Sequence, residues 1–262
     1  MRFVRYQRGN EPPAYGWLFE DRIGMIEGSP FGDYRRLEAD LELVRVRLLA
    51  PVTPGKIIAV GRNYADHARE HGAEVPELPL IFLKPPSSVI GPEDAILLPP
   101  QSQQVEHEAE LAVVIGRAGR WIHPDNAADY ILGYTAANDV TARDLQRLDG
   151  QWTRSKSFDT FCPLGPWIET ELDPADVMIS CRVDGELRQM ASTREMVFSV
   201  AQLVAFISSI MTLNPGDLIL TGTPAGVGPL LPGNVVEVEI EGVGILRNSV
   251  IAAAGRTPEV KR

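Results

Sequence analysis

The apolar residues of this chain come in short runs that proline and glycine interrupt. Ile57-Ile58-Ala59-Val60 stops at Gly61, Leu80-Ile81-Phe82-Leu83 stops before Pro85, and Leu111-Ala112-Val113-Val114-Ile115 stops at Gly116. Runs of this length suit strands, and 21 prolines leave little room for the long crossover helices of a repeated βαβ fold. The pattern predicts a strand-rich chain with few helices. Strands are expected at Leu80–Leu83, Glu108–Ile115, Ile131–Val140, Met178–Val183, Asp217–Thr221 and Val235–Ile240. The clearest helix is expected at Val200 to Leu213, with Ser199 as cap, Gln202 completing the capping box, and Leu203, Phe206, Ile207 and Ile210 as its apolar stripe. Asn214-Pro215-Gly216 is expected to end it.

Short alternating segments such as Tyr15-Gly16-Trp17-Leu18-Phe19 fill the first fifty residues, and Pro51-Val52-Thr53-Pro54-Gly55 reads as a linker. The expected division is a small β-rich domain at 1–52, a main domain at 53–254 and a tail at 255–262. With 262 residues and 44% hydrophobic content, the chain can bury a sizeable core. The formal net charge is −10, which disfavours nucleic acid as a partner. Val200–Leu213 is too short to cross a membrane, and the N-terminus lacks the apolar stretch of a signal peptide. Cys162 and Cys181 form no metal-binding spacing, and a cytoplasmic protein is expected.

Glu108-Ala109-Glu110 opens the most apolar strand candidate. On a strand, residues i and i+2 share a face, so the two carboxylates project together. A divalent cation would relieve their repulsion and their desolvation, and all-oxygen ligands favour Mg²⁺, Mn²⁺ or Ca²⁺ over zinc. Alone the pair is better read as a solvated edge with two charges. Asp139, closing Gly133-Tyr134-Thr135-Ala136-Ala137-Asn138-Asp139, could supply a third ligand. His67 and Glu70 are three apart on a short helix candidate and can meet on one face. The other histidines, His71, His107 and His123, show no partner pattern, and the four tryptophans read as packing residues.

Five segments in order resemble the fumarylacetoacetate hydrolase family. They are Gly61-Arg62-Asn63-Tyr64-Ala65-Asp66-His67, His107-Glu108-Ala109-Glu110-Leu111, Asn138-Asp139-Val140-Thr141-Ala142-Arg143-Asp144, Lys156-Ser157-Phe158-Asp159 and Leu220-Thr221-Gly222-Thr223-Pro224. The resemblance runs from about Lys56 to Val250. It implies a mainly β fold with peripheral helices (α+β), a mixed β-sandwich roll preceded by a small N-terminal β-rich domain, and usually a homodimer. It implies Mg²⁺ or Mn²⁺ on Glu108, Glu110 and Asp139, a His67–Glu70 base on a mobile lid, and Lys156 beside the substrate oxygens. Arg62, Lys84, Arg143, Gln146 and Thr223 are the expected substrate contacts, although an ion pair to Asp144 or Asp139 is a serious rival for Arg143.

The activity implied is cleavage of a small 2-oxo acid of the acylpyruvate type through a metal-stabilised enolate, with oxaloacetate decarboxylation as a related reaction. A 2-hydroxyhepta-2,4-diene-1,7-dioate isomerase, a 5-oxopent-3-ene-1,2,5-tricarboxylate decarboxylase and a sugar-acid dehydratase are the enzyme alternatives. A non-catalytic metal-binding module is disfavoured, because both the ligands and the base are present.

Overall fold

Strand Ala109–Ile115 is buried along all seven residues, because both its faces are covered. A computed structural model describes residues 1–70 and 72–254; His71 and the 255–262 tail lie outside the described residues. Five strands open the chain: β1 (Arg2–Gln7), β2 (Ala14–Phe19), β3 (Arg22–Gly28), β4 (Tyr34–Glu42) and β5 (Arg47–Leu48). Next come β6 (Ile57–Gly61), α1 (Ala65–Glu70), β7 (Leu80–Lys84), β8 (Val89–Ile90), β9 (Ala95–Leu98), β10 (Val105–His107), β11 (Ala109–Ile115) and β12 (Ile131–Asn138). They are followed by β13 (Thr141–Ala142), α2 (Arg143–Asp149), α3 (Thr153–Lys156), β14 (Cys162–Glu169), β15 (Met178–Val183) and β16 (Glu186–Ser192). The last elements are α4 (Val200–Ile210), β17 (Leu218–Leu220), β18 (Gly228–Pro229), β19 (Val235–Ile240) and β20 (Gly244–Ala252).

The fold is mostly β, with peripheral helices. A long mixed sheet runs β4-β3-β2-β1-β14-β12-β11-β17-β6-β7, and a second sheet runs β16-β15-β19-β20-β9. Strand alternation on β11 divides the interior in two. Leu111, Val113 and Ile115 pack with Ile179, Val238, Ile240 and the buried face of α4. Ala112 and Val114 point the other way, to Leu164, Ile168, Leu218 and Leu220. Glu108 and Glu110 continue this second face past its apolar end.

The first β-rich segment extends the long sheet. β1 pairs antiparallel with β14, Arg2 opposite Glu169 and Phe3 opposite Ile168, so the long sheet is continuous through it. It also has a small core of its own, made by Val4, Tyr6, Leu18 and Ile23.

Helix α4 carries the expected capping box: Ser199 Oγ accepts from Gln202 N, and Gln202 Oε1 accepts from Ser199 N. The helix stops earlier than expected, since Met211 is already extended and Leu213 bridges to Gly119. Its buried stripe is Val200, Leu203, Val204 and Ile207, which leaves Ile210 48% exposed. No helix among the described residues is long and apolar enough to cross a membrane.

Candidate metal centre and active site

The acidic pair sits where β10 breaks and β11 begins. Glu108 N donates to Asn138 Oδ1 at 2.9 Å, and Asp139 N donates to Glu108 O at 2.8 Å. This antiparallel register places Asp139, just past β12, across from Glu108. Oxygens of Glu108, Glu110 and Asp139 lie within 4.8 Å of one another, and the three residues are 4%, 1% and 1% exposed.

Buried carboxylates at this spacing need counter-charge. Glu108 has Lys156 Nζ at 2.7 Å on one oxygen and Arg143 on the other. Burial opposes its ionisation, but Lys156 and Arg143 outweigh that and hold its carboxyl far below the usual range. Asp139 has Lys156 Nζ at 2.7 Å and Lys84 Nζ at 2.6 Å. Glu110 differs: among the described residues no cation pairs with it, and it accepts only a backbone bond from Gly222 N at 2.6 Å. Burial, then the charges of Asp139 and Glu108, push its carboxyl well above the usual range. A carboxylate triad with one member unneutralised, offering only oxygen, fits a hard divalent cation such as Mg²⁺ or Mn²⁺.

A cavity of about 320 Å³ opens onto this triad. Its wall includes Arg62, His67, Phe82, Arg143, Gln146, Arg147, Trp152, Lys156 and Thr223. The floor is deeply buried, with Lys156 2%, Arg143 3%, Thr223 3% and His67 6% exposed. Arg62, Gln146 and Trp152 are half-buried, and Arg147 is exposed at the mouth. The fold thus brings together the expected residues, with two displaced. Lys84 stands behind the wall: its Nζ meets Asp139 and donates to the Lys156 carbonyl. Glu70 also lies off the wall, where it faces His67.

His67 and Glu70 meet on α1 as their spacing predicts, with His67 Nδ1 3.4 Å from Glu70 Oε2. Both Glu70 oxygens also accept from Gly226 N at 3.2 Å, which ties α1 to the loop after β17. Arg143 does form ion pairs, but with Glu106 and Glu108 rather than Asp144 or Asp139, and it donates to Gln146 Oε1 at 2.6 Å. Asp144 instead accepts from Ser102 Oγ. Thr223 Oγ1 accepts from Gln189 Nε2 at 2.8 Å. Arg62 sits in left-handed backbone, φ +59°, at a cost of about 1–2 kcal/mol for a residue with a Cβ. A Cβ on the preceding Gly61 would lie 2.5 Å from the Trp152 ring, so the ring packs directly over the glycine.

Four features escaped the sequence reading. Gln189, 1% exposed on β16, bonds Ala109 N and His107 Nδ1 through its oxygen, and Thr223 Oγ1 and the Pro224 carbonyl through its nitrogen. It joins the ligand strand to the Thr223 loop, and no local pattern marks it. His107 is therefore partnered, and burial pushes its ring below the usual imidazole range. Glu106, one strand alternation before Glu108, anchors Arg143 from behind. Trp152 lines the cavity and packs edge-on against Phe82 at 5.1 Å, so it belongs to the site.

Residues 56–251 match the fumarylacetoacetate (FAA) hydrolase C-terminal family, and residues 1–51 match the Rv2993c-like N-terminal family. An oxaloacetate tautomerase of rat mitochondria, Fahd2a, is 48% identical over 232 residues, 83% of this chain and 74% of the relative. The crystal structure of a 2-hydroxyhepta-2,4-diene-1,7-dioate isomerase from Mycobacterium marinum superposes with a TM-score of 0.90 at 44% identity, covering 97% of this chain and 100% of the other. A maleylpyruvate hydrolase from Sphingobium, solved with manganese(II) and pyruvate, gives 0.80 at 33% identity over the same shares. With a match over most of its length and relatives this similar, the chain belongs to the fumarylacetoacetate hydrolase family of enzymes.

Proposed function

We propose that this enzyme forms and reprotonates the enolate of a small 2-oxo acid, using Mg²⁺ or Mn²⁺ on Glu108, Glu110 and Asp139. The net reaction we favour is keto–enol tautomerisation of an oxaloacetate-like diacid. The observation that carries the reading is the Lys156 ammonium, 2.7 Å from both Glu108 and Asp139 and on the wall of the same small cavity. The names of the relatives point to different net reactions, but each substrate is a 2-oxo acid or its enol. One charge pattern serves them all.

The cation, when bound, would supply Lewis acidity to the 2-oxo group and so acidify the neighbouring C–H. Lys156 adds fixed positive charge where negative charge develops on oxygen. Burial works against its ionisation, but Asp139 and Glu108 more than compensate, so it stays an ammonium. His67, oriented through Nδ1 by Glu70, moves the proton to and from substrate carbon at Nε2. Phe82 and Trp152, in edge-on contact, give the same wall an apolar part.

A second reading, C–C hydrolysis of an acylpyruvate, draws support from the same pair, because an oriented imidazole can also deprotonate water. The two readings separate in one experiment. The protein, with Mg²⁺ or with chelator, is mixed with enol oxaloacetate and, separately, with acetylpyruvate, and each ultraviolet absorbance is followed. Faster enol decay that chelator and Lys156→Met both abolish is expected. Acetylpyruvate cleavage alone would favour hydrolysis, and no acceleration of either would overturn the enolate reading.

A further inference from the structure

We propose that the mouth of the cavity is a carboxylate subsite, formed by the guanidinium groups of Arg62 and Arg147, that selects substrates with a second carboxylate remote from the 2-oxo group. The proposal rests on the enolate reading above and specifies its substrate class.

Four cationic side chains line the cavity: Arg62, Arg143, Arg147 and Lys156. Two are neutralised by the protein. Arg143 bonds Glu106 and Glu108, and Lys156 bonds Glu108 and Asp139. The other two hold no carboxylate among the described residues. Arg62 rests 6.0 Å above the Trp152 ring, and Arg147 donates only to the neutral Gln104 amide oxygen at 3.3 Å. The contrast with Arg154 is instructive: it lines a neighbouring cavity, and Asp149 holds it through both oxygens. The carboxylates on the wall are the three of the floor, so nothing acidic on the lining faces the mouth.

Two observations separate this arrangement from ordinary solvated arginines. First, the backbone places Arg62 at some cost, in left-handed conformation after a glycine that Trp152 covers. Strain held at a pocket wall points to a positional requirement there. Second, the chain carries a net charge of −10, which repels a dianion from most of its surface. Two unneutralised guanidiniums at the entrance reverse that field locally and can take a carboxylate by paired hydrogen bonds. An oxo-acid head at the floor then leaves a distal carboxylate facing the guanidinium groups on the same cavity wall.

The test uses ligands that differ only at the distal end. Calorimetry on the Mg²⁺-loaded protein compares 2-oxoglutarate, 2-oxopentanoate and oxalate. Wild type is expected to prefer 2-oxoglutarate over 2-oxopentanoate by about ten- to a hundredfold, the scale of a charge-assisted hydrogen bond or two. Arg62→Gln and Arg147→Gln should each shrink that ratio, the double variant should bring it to about one, and Arg147→Lys should restore part of it. Oxalate affinity should stay unchanged throughout. A preference that survives in the double variant, or is missing in wild type while oxalate binds, would overturn the subsite and leave the floor untouched. Failure of wild type to bind oxalate with Mg²⁺ would overturn the enolate reading and the subsite with it.

Discussion

The floor and the mouth of one cavity are both rich in charge, but they hold it in opposite states. At the floor, Glu108 meets Lys156 and Arg143, and Asp139 meets Lys156 and Lys84. At the mouth, Arg62 and Arg147 meet no carboxylate among the described residues. The difference follows from water. An isolated charge in the interior is costly, so buried groups must satisfy each other, whereas a half-exposed guanidinium remains solvated until a ligand arrives. The floor is therefore committed before substrate binds and sets the type of chemistry. The mouth is uncommitted and is free to read the substrate. Glu110 breaks the pattern inside the floor, because no cation pairs with it among the described residues.

Replacing Asp139 by Asn attacks the floor most directly. It removes one of the three proposed cation ligands and strips Lys84 and Lys156 of a charged partner. Calorimetric Mg²⁺ binding and enol turnover are expected to vanish, and stability to fall by about 3–5 kcal/mol, the usual effect of breaking a buried pair. Cation binding that persists would mean that the floor is not the committed half.

His67→Ala should act less severely. It should lower kcat by about 10²-fold or more and leave Mg²⁺ binding intact, which is the signature of a lost proton-transfer group. Undiminished turnover would move that role away from α1.

The mildest effect is a pH dependence. The Glu110 carboxyl is raised in the cation-free fold, by burial first and then by Asp139 and Glu108. Its contribution to stability is then fully present below the ordinary glutamate range and is lost as pH rises through the elevated value. A cation competes with that proton, so Mg²⁺ affinity should weaken by up to about tenfold per pH unit below it. Thermal melts with and without Mg²⁺ across pH check both signs. A cation-free Tm that does not drop with rising pH would show that Glu110 ionises normally, and the exception within the floor would disappear.

Legibility tracked distance along the chain. Glu108 and Glu110 were readable as a pair because strand alternation is local, and His67 and Glu70 because helix spacing is local. The capping box on α4 was readable for the same reason. The α4 terminus falls before the expected one, because Met211 is drawn into extended backbone and Leu213 pairs with Gly119, more than ninety residues away by chain number. Gln189 was invisible because its partners, His107, Ala109, Thr223 and Pro224, come from other strands and loops. The continuity of the first β-rich segment with the long sheet depends on β1 meeting β14, and no periodicity encodes that pairing.

Short apolar runs, prolines and ordered motifs were enough to establish a β-rich member of this family and to pick out the three acidic residues that the fold brings together. Which charges are spent on one another and which are left for a substrate emerged only in the folded chain. Alternation and helical spacing act over a few residues, but the partner of a buried charge is chosen by sheet register and packing between segments tens of residues apart.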